Sequence, residues 1–230
     1  SGVVLSTFEA LKAQITCAIH MGAAGIPWFT TDMGGFNCGG LDDEEFKELY
    51  ARWCEFSCFS PVMRNHGNRV PYTKIEGRPT VDRISNPIDH ITTGADNEPW
   101  SYGEDIERLM VKYINLREAM RPYTRQLFAA AHESGQPRVP GLFFHFPGDD
   151  QAPNIADEYL FGPDLLIAPV TESGVRSRKV YLPGGPETTW MNLHDGNSHE
   201  GGRIVTVEAP LDVIPVFARN GADHGLNGMI

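Results

Sequence analysis

Phe8, Leu11, Ile15, Ala18, Ile19 and Gly22 recur at three- and four-residue spacing and line one face of a helix over residues 6–21. Ser6-Thr7-Phe8-Glu9 has the capping-box pattern, with Ser6 placed to cap and Glu9 to answer it, and Gly22 is placed to stop the helix. The apolar and β-branched run Gly25–Thr31 follows after a very short link and predicts a buried strand ending at Asp32. Gly34 and Gly35 then permit a sharp turn and close approach to the backbone. A second helix opens with Asp42 as cap and Asp43, Glu44 and Glu45 at its positive end. Phe46, Leu49, Tyr50, Trp53, Cys54 and Phe56 form its apolar side, and Pro61 marks its end.

Periodicity is lost over residues 67–99, where Pro71, Pro79, Pro87 and Pro99 predict a long loop carrying Asp89, His90 and Asp96. It resumes from Gly103 to about Ser134 through Ile106, Leu109, Met110, Tyr113, Leu116 and Met120. Pro122 marks a kink or a second start, and Gly135 the end. Val139–Phe146 predicts a second strand. Beyond Tyr159, short apolar runs at 164–170, 178–182, 189–193, 203–209 and 213–218 alternate with glycine- and proline-rich turns, the pattern of an antiparallel β domain. Two strands of αβ type do not close a parallel sheet, so residues 1–157 read as part of a larger α/β body, followed by a small β domain over 158–230.

The net charge of -11, from 19 basic and 30 acidic residues, argues against nucleic acid or an anionic membrane surface as partner. No apolar run is long enough to span a bilayer. Cys17, Cys38, Cys54 and Cys58 lack the short paired spacings of zinc sites and read as reduced thiols, with Cys54 and Cys58 on one helix face.

Asp32 stands where a strand would end, which in parallel α/β architecture is where ligands are met; an Asp closing its own turn is the plain alternative. Phosphate is rejected at Gly34-Gly35, because four carboxylates open the next helix and no lysine follows the glycines. No Gly-x-Ser-x-Gly elbow is present. A neutral polyol suits the chain better, since it is held by carboxylate, His and Arg hydrogen bonds with an aromatic ring against its apolar face. Asp32, Phe36, Arg64 and His66 supply that set, and Arg64 and His66, two apart, can point the same way in an extended segment. Gly34 and Gly35 then read as room for a sugar. Trp53 and Phe56 could form a stacking platform, but their helical spacing favours core packing.

These motifs resemble glycoside hydrolase family 31, the retaining α-glucosidases and α-xylosidases. The resemblance rests on Gly25–Phe36, on Arg52-Trp53 with Phe59-Ser60-Pro61, on Arg64-Asn65-His66-Gly67, and on Glu98–Glu104. Leu116-Arg117 through Arg121-Pro122-Tyr123, Tyr159–Val170 and Ala209–Phe217 extend it over nearly the whole chain. It implies an α/β fold, a partial (β/α)8 TIM barrel over residues 1–157 and a small antiparallel β-sandwich over 158–230. It also implies hydrolysis of terminal α-linked glucose or xylose from an oligosaccharide substrate, with retention and with no metal or organic cofactor.

By the same resemblance Asp32, Phe36, Arg64 and His66 are substrate-binding residues. The nucleophilic Asp is expected upstream, with the remainder of the barrel. The acid/base Asp is expected where Ser1-Gly2 is followed by Val3, and valine cannot transfer a proton. The family's Arg-Pro before the last barrel strand reads Pro140-Gly141, and Asp223-His224-Gly225 breaks an expected apolar continuation. The expectation is a glycosidase fragment inactive by itself; the alternatives are a non-catalytic carbohydrate-binding module or a structural, interaction module.

Overall fold

The computed structural model describes residues 3–74 and 92–230. Its first part repeats one unit, a stretch in parallel register followed by a helix. Leu5 leads into α1 (Phe8–Ala23), β1 (Asn37–Gly40) into α2 (Glu44–Cys58), and β2 (Asn68–Lys74), with β3 (Thr92–Ala95) returning antiparallel to it, into α3 (Glu104–Ala119). Leu5 bridges Asn37 and Asn37 pairs with Asn68, both in parallel, so three successive stretches stand side by side as in a barrel wall. A turn of 3-10 helix (Pro99–Tyr102) precedes α3, and α4 (Arg121–Ser134) follows it. Among the described residues no helix is long and apolar enough to cross a membrane.

Several boundaries differ from the sequence expectation. Thr7, not Ser6, caps α1, its Oγ1 accepting from the Ala10 N–H at 3.1 Å. Ser6 is drawn into the parallel ladder, its N–H and hydroxyl both donating to the Asn37 carbonyl. The helix runs past Gly22, which is packed so closely that a Cβ there would lie 3.0 Å from the Val139 carbonyl oxygen. Asp43, one residue after Asp42, caps α2 by accepting from Glu45 and Phe46. Gly103–Ser134 is two helices, with Pro122 in the first turn of α4 and Gly135 left-handed at its end (φ 71°).

Neither predicted strand forms as such. Over 25–31 the chain joins no ladder. Residues 29–33 run beside 62–64, linked by Val62 N–H to Phe29 O and Met33 N–H to Arg64 O, and regular pairing starts only at Asn37. A strand needs a partner along its length, and here Ile26 and Trp28 are 42% and 66% exposed. Over 139–146, Gly141 makes one bridge to Tyr159 and the chain then turns through α5 (Leu142–His145). The expected long loop contains β2 and β3; Pro79, Pro87, Asp89 and His90 lie outside the described residues, and Asp96 is exposed.

The β domain has a five-stranded antiparallel sheet and a two-stranded one. The first is built from β4 (Tyr159–Phe161), β5 (Leu165–Ile167), β7 (Thr189–Asn192), β8 (Ser198–Glu200) and β10 (Val216–Arg219), in the order β4-β5-β10-β7-β8. The second pairs β6 (Ser177–Leu182) with β9 (Arg203–Glu208). Side chains alternate across a strand. Tyr159, Phe161, Leu165, Ile167, Val216 and Ala218 therefore join the core shared with the helices, while Leu160, Leu166 and Phe217 join a second core with Val180, Leu182 and Trp190. Both faces of β4, β5 and β10 are buried, which is why these strands read as unbroken apolar runs.

Arg52 ties the two parts together. Fully buried on α2, its guanidinium donates to the carbonyls of Val175 (3.2 Å), Ala209 (2.8 Å), Pro210 (3.0 Å) and Val213 (3.2 Å) in the β domain, and pairs with Glu55 at 3.2 Å. Burial pushes the Glu55 carboxyl up to about 8 against the pull of Arg52. Glu158 is likewise pushed up to about 8 by burial, with Arg178 opposing, and accepts the Tyr181 N–H.

Arg52→Met leaves the Ala209 and Val213 carbonyls without a donor, and takes from Val175 O, Pro210 O and Glu55 one of the donors each has. Leaving two buried carbonyls unpaired costs about 1–3 kcal/mol each, so roughly 3–5 kcal/mol together. That corresponds to a Tm lowered by roughly 6–20 °C for a chain of this size, and calorimetry showing a drop below 3 °C would contradict the tie. For Glu158 the folded state holds its proton above the ordinary carboxyl range. The stability it contributes is complete below about 4.5 and is lost as pH rises towards 8. The urea midpoint of the wild type should therefore fall relative to that of Glu158→Gln between pH 5 and 8, and a constant difference would refute the assignment.

Candidate active site

The two neighbouring segments 29–36 and 62–68 carry all four expected residues. Asp32 is 5% exposed, and its Oδ1 lies 3.1 Å from Nε of the half-exposed Arg64. The contact is an ion pair without hydrogen-bond alignment, so that oxygen keeps its acceptor capacity. Further along the same segments the Phe36 ring faces the His66 ring, centroids 5.2 Å apart and tilted by 56°. Arg64 and His66 thus each meet a partner on the adjoining segment while remaining exposed.

Arg69 lies behind the loop that carries Asp32 and Phe36, and the sequence reading did not single it out. It is completely buried, and it donates to Met33 O (2.7 Å), Gly35 O (2.9 Å) and Cys38 O (3.2 Å). Its guanidinium also lies over the Phe46 ring, 4.9 Å from the centroid. The sequence signal available was the glycines around it. A Cβ on Gly67 would sit 2.7 Å from its Cζ, and one on Gly34 would sit 3.2 Å from its Nη2 and 2.7 Å from the Tyr50 ring. A Cβ on Gly35 would meet the Leu5 carbonyl oxygen at 2.6 Å.

Gly34 and Gly35, at φ 76° and 78°, therefore make room for the protein's own side chains and backbone, not for a sugar. Trp53 and Phe56 are wholly buried and form core. Cys54 and Cys58 are also wholly buried, and burial raises both thiols well above their ordinary range. Among the described residues no three His, Cys, Asp or Glu side chains are grouped to hold a metal ion. A cavity of 660 Å³ opens between the N-terminal ends of α1 and α2, lined by Ser6, Cys38, Asp43, Phe46 and Thr171 among others, but by none of the four site residues.

Parallel stretches alternating with outer helices, polar side chains on the segments that lead into those stretches, and an antiparallel sheet domain docked behind are the arrangement of part of a TIM barrel with an accessory β domain. Comparison with known proteins agrees. Residues 1–127 match the glycosyl hydrolases family 31 TIM-barrel domain and residues 135–222 the glycosyl hydrolase family 31 C-terminal domain. The chain belongs to glycoside hydrolase family 31.

Among its relatives, an α-xylosidase of Saccharolobus solfataricus is 32% identical over 96% of this chain and 27% of its own length. α-Xylosidase A of Aspergillus niger is 33% identical over 100% of this chain and 32% of its own. α-Glucosidase 2 of Bacillus thermoamyloliquefaciens is 32% identical over 94% and 24%. The crystal structure of a family 31 α-xylosidase from a soil metagenome, complexed with xylose, superposes with a TM-score of 0.89 at 45% identity, over 98% of this chain and 32% of that one. The chain thus spans about a quarter to a third of the length of these relatives.

Gly35→Ala should be costly for two reasons. A side chain in the left-handed region costs about 1–2 kcal/mol, and here the new methyl also meets backbone that cannot swing aside. Chemical denaturation should show a loss of at least about 2 kcal/mol. A loss under about 0.5 kcal/mol would mean that the backbone around Leu5 yields freely.

Proposed function

We propose that this chain forms the sugar-holding wall of a retaining α-glycosidase acting on terminal α-linked glucose or xylose, with residues 1–157 as its part of the barrel and 158–230 as the β domain. Asp32 accepts hydrogen bonds from sugar hydroxyls, Arg64 orients that carboxylate, His66 bonds a neighbouring hydroxyl and Phe36 lies against the ring. The observation that carries this reading is the buried Asp32 carboxylate, paired with Arg64 and flanked by the Phe36–His66 pair on the two segments that lead into the parallel strands β1 and β2. Its Oδ1 is buried without a hydrogen-bond partner in the chain, so the carboxylate keeps acceptor capacity, which is what holding a polyol requires. The bound xylose of the related α-xylosidase structure supports the ligand class.

Retention needs two carboxyl groups about 5–5.5 Å apart, one as nucleophile and one as acid/base. The family resemblance puts the acid/base at Val3, whose side chain has no proton to transfer, and the nucleophile outside these residues. We therefore assign binding to this chain and no turnover by it alone. Hydrogen bonds to a charged group are worth roughly 1.5–3 kcal/mol, so Asp32→Ala should raise the Kd for xylose or glucose about tenfold or more in a calorimetric titration. Binding heat absent from the wild type with both sugars would end the reading. Release of p-nitrophenol from an α-xyloside or α-glucoside by this chain alone would overturn the assignment of inactivity.

A further inference from the structure

The four proposed sugar contacts come from two segments that touch through few backbone bonds. Met33 N–H donates to Arg64 O, and Asn68 N–H to Phe36 O. So short a ladder does not by itself hold side chains to the tolerance a ligand site needs, roughly 0.5 Å. What spans the two segments instead is a chain of polar groups centred on Arg69. On one side Nη1 and Nη2 gather the carbonyls of Met33, Gly35 and Cys38, the loop on which Asp32 and Phe36 stand. On the other side Nε donates to Asn97 Oδ1 at 2.9 Å, an oxygen that also accepts from the Tyr102 hydroxyl. The Asn97 carbonyl accepts from Asn65 Nδ2 at 2.8 Å, and Asn65 stands between Arg64 and His66. Tyr50, stacked on Tyr102 with centroids 4.1 Å apart, donates to Asn65 Oδ1 at 2.9 Å and closes the loop of contacts.

We infer that Arg69 and Asn97 are positioning residues for the sugar site: the buried guanidinium sets the spacing between the Asp32–Phe36 segment and the Arg64–His66 segment, and Asn97 passes that constraint to Asn65. The inference rests on the sugar-site reading above for its functional meaning, while its geometry stands independently. It calls for a planar, multiply donating cation. Lysine, a point charge with three donors on a flexible stem, cannot serve three loop carbonyls and an amide oxygen in different directions at once. It also accounts for glycine at 67, where a Cβ would lie 2.7 Å from the guanidinium carbon; at 34 the closest clash is with the Tyr50 ring at 2.7 Å, with Arg69 Nη2 next at 3.2 Å.

The test uses Arg69→Lys and Asn97→Ala in the full chain, read by calorimetric titration with xylose and by amide hydrogen exchange. Asn97→Ala removes the oxygen that Arg69 and Tyr102 share but keeps the backbone carbonyl that Asn65 uses. The expected result is a Kd raised about tenfold in Arg69→Lys and about threefold in Asn97→Ala, equivalent to roughly 1.4 and 0.7 kcal/mol, with binding stoichiometry unchanged. The Gly35 and Asn68 amides, which donate to Asp32 O and Phe36 O, should exchange faster in both variants. A purely structural role would lower the stoichiometry, by unfolding a fraction of the molecules, and leave Kd alone; that result overturns the inference. So does an unchanged Kd with unchanged exchange. If the wild type binds no sugar, the sugar-site reading fails and exchange tests the geometry alone: faster exchange confined to the Gly35 and Asn68 amides upholds Arg69 and Asn97 as the tie between the two segments, and unchanged or uniformly faster exchange refutes it.

Discussion

Backbone carbonyls buried away from any ladder or helix must find donors, and in this protein arginines supply them. Leaving such a group unpaired costs about 1–3 kcal/mol. Arg52 collects four carbonyls where the β domain meets α2. Arg117, reaching from α3, serves Cys58, Ser60 and Pro61, the residues that end α2 and leave it. Arg69 serves three carbonyls of the loop under the site. Each guanidinium offers donors in a plane fixed by resonance, so one side chain settles several irregular turns of backbone at once. Remove that device and the loops that position Asp32 and dock the β domain would need water or another conformation.

The same economy appears in the five-stranded sheet. One face packs on the helices through Tyr159, Phe161 and Ile167, the other on β6–β9 through Leu160, Leu166 and Phe217. Hydroxyls at the seam are satisfied locally: Tyr159 donates to Phe59 O and Tyr123 to Phe161 O. With β4, β5 and β10 buried on both sides, the sheet gives the barrel portion a rigid back. That rigidity bears on function because Arg52 and the site loops share α2 and its neighbours as their support. Asp32 can be a buried carboxylate with an unsatisfied acceptor oxygen only if the backbone on either side does not move to satisfy it.

Much of this was legible in the sequence. Periodicity located α1, α2, the α3–α4 pair with its break at Pro122, and five of the β-domain strands, because a face that must be buried writes its period into the chain. The candidate set Asp32, Phe36, Arg64 and His66 came from chemistry and from family resemblance, and the structure brings its members together in two pairs. Boundaries were less so. Ser6 and Thr7, or Asp42 and Asp43, are equally good caps by type, and the choice fell to which of them the parallel ladder or the chain path left free.

What the sequence determined alone was composition of faces: which residues are apolar together, where glycine and proline break them, and which polar types sit near a strand end. What only the tertiary structure decided was partnership. Gly25–Thr31 has the composition of a strand but lacks a full set of neighbours, so it makes a single backbone bond to the segment beside it, Val62 N–H to Phe29 O. Gly34 and Gly35 have the composition of a ligand loop, yet their space belongs to Tyr50, Arg69 and the backbone at Leu5. Arg69 shows no period and no motif of its own. Its importance comes from groups 28 to 36 positions away converging on it, a relation that local pattern cannot encode because it depends on where the whole chain has gone.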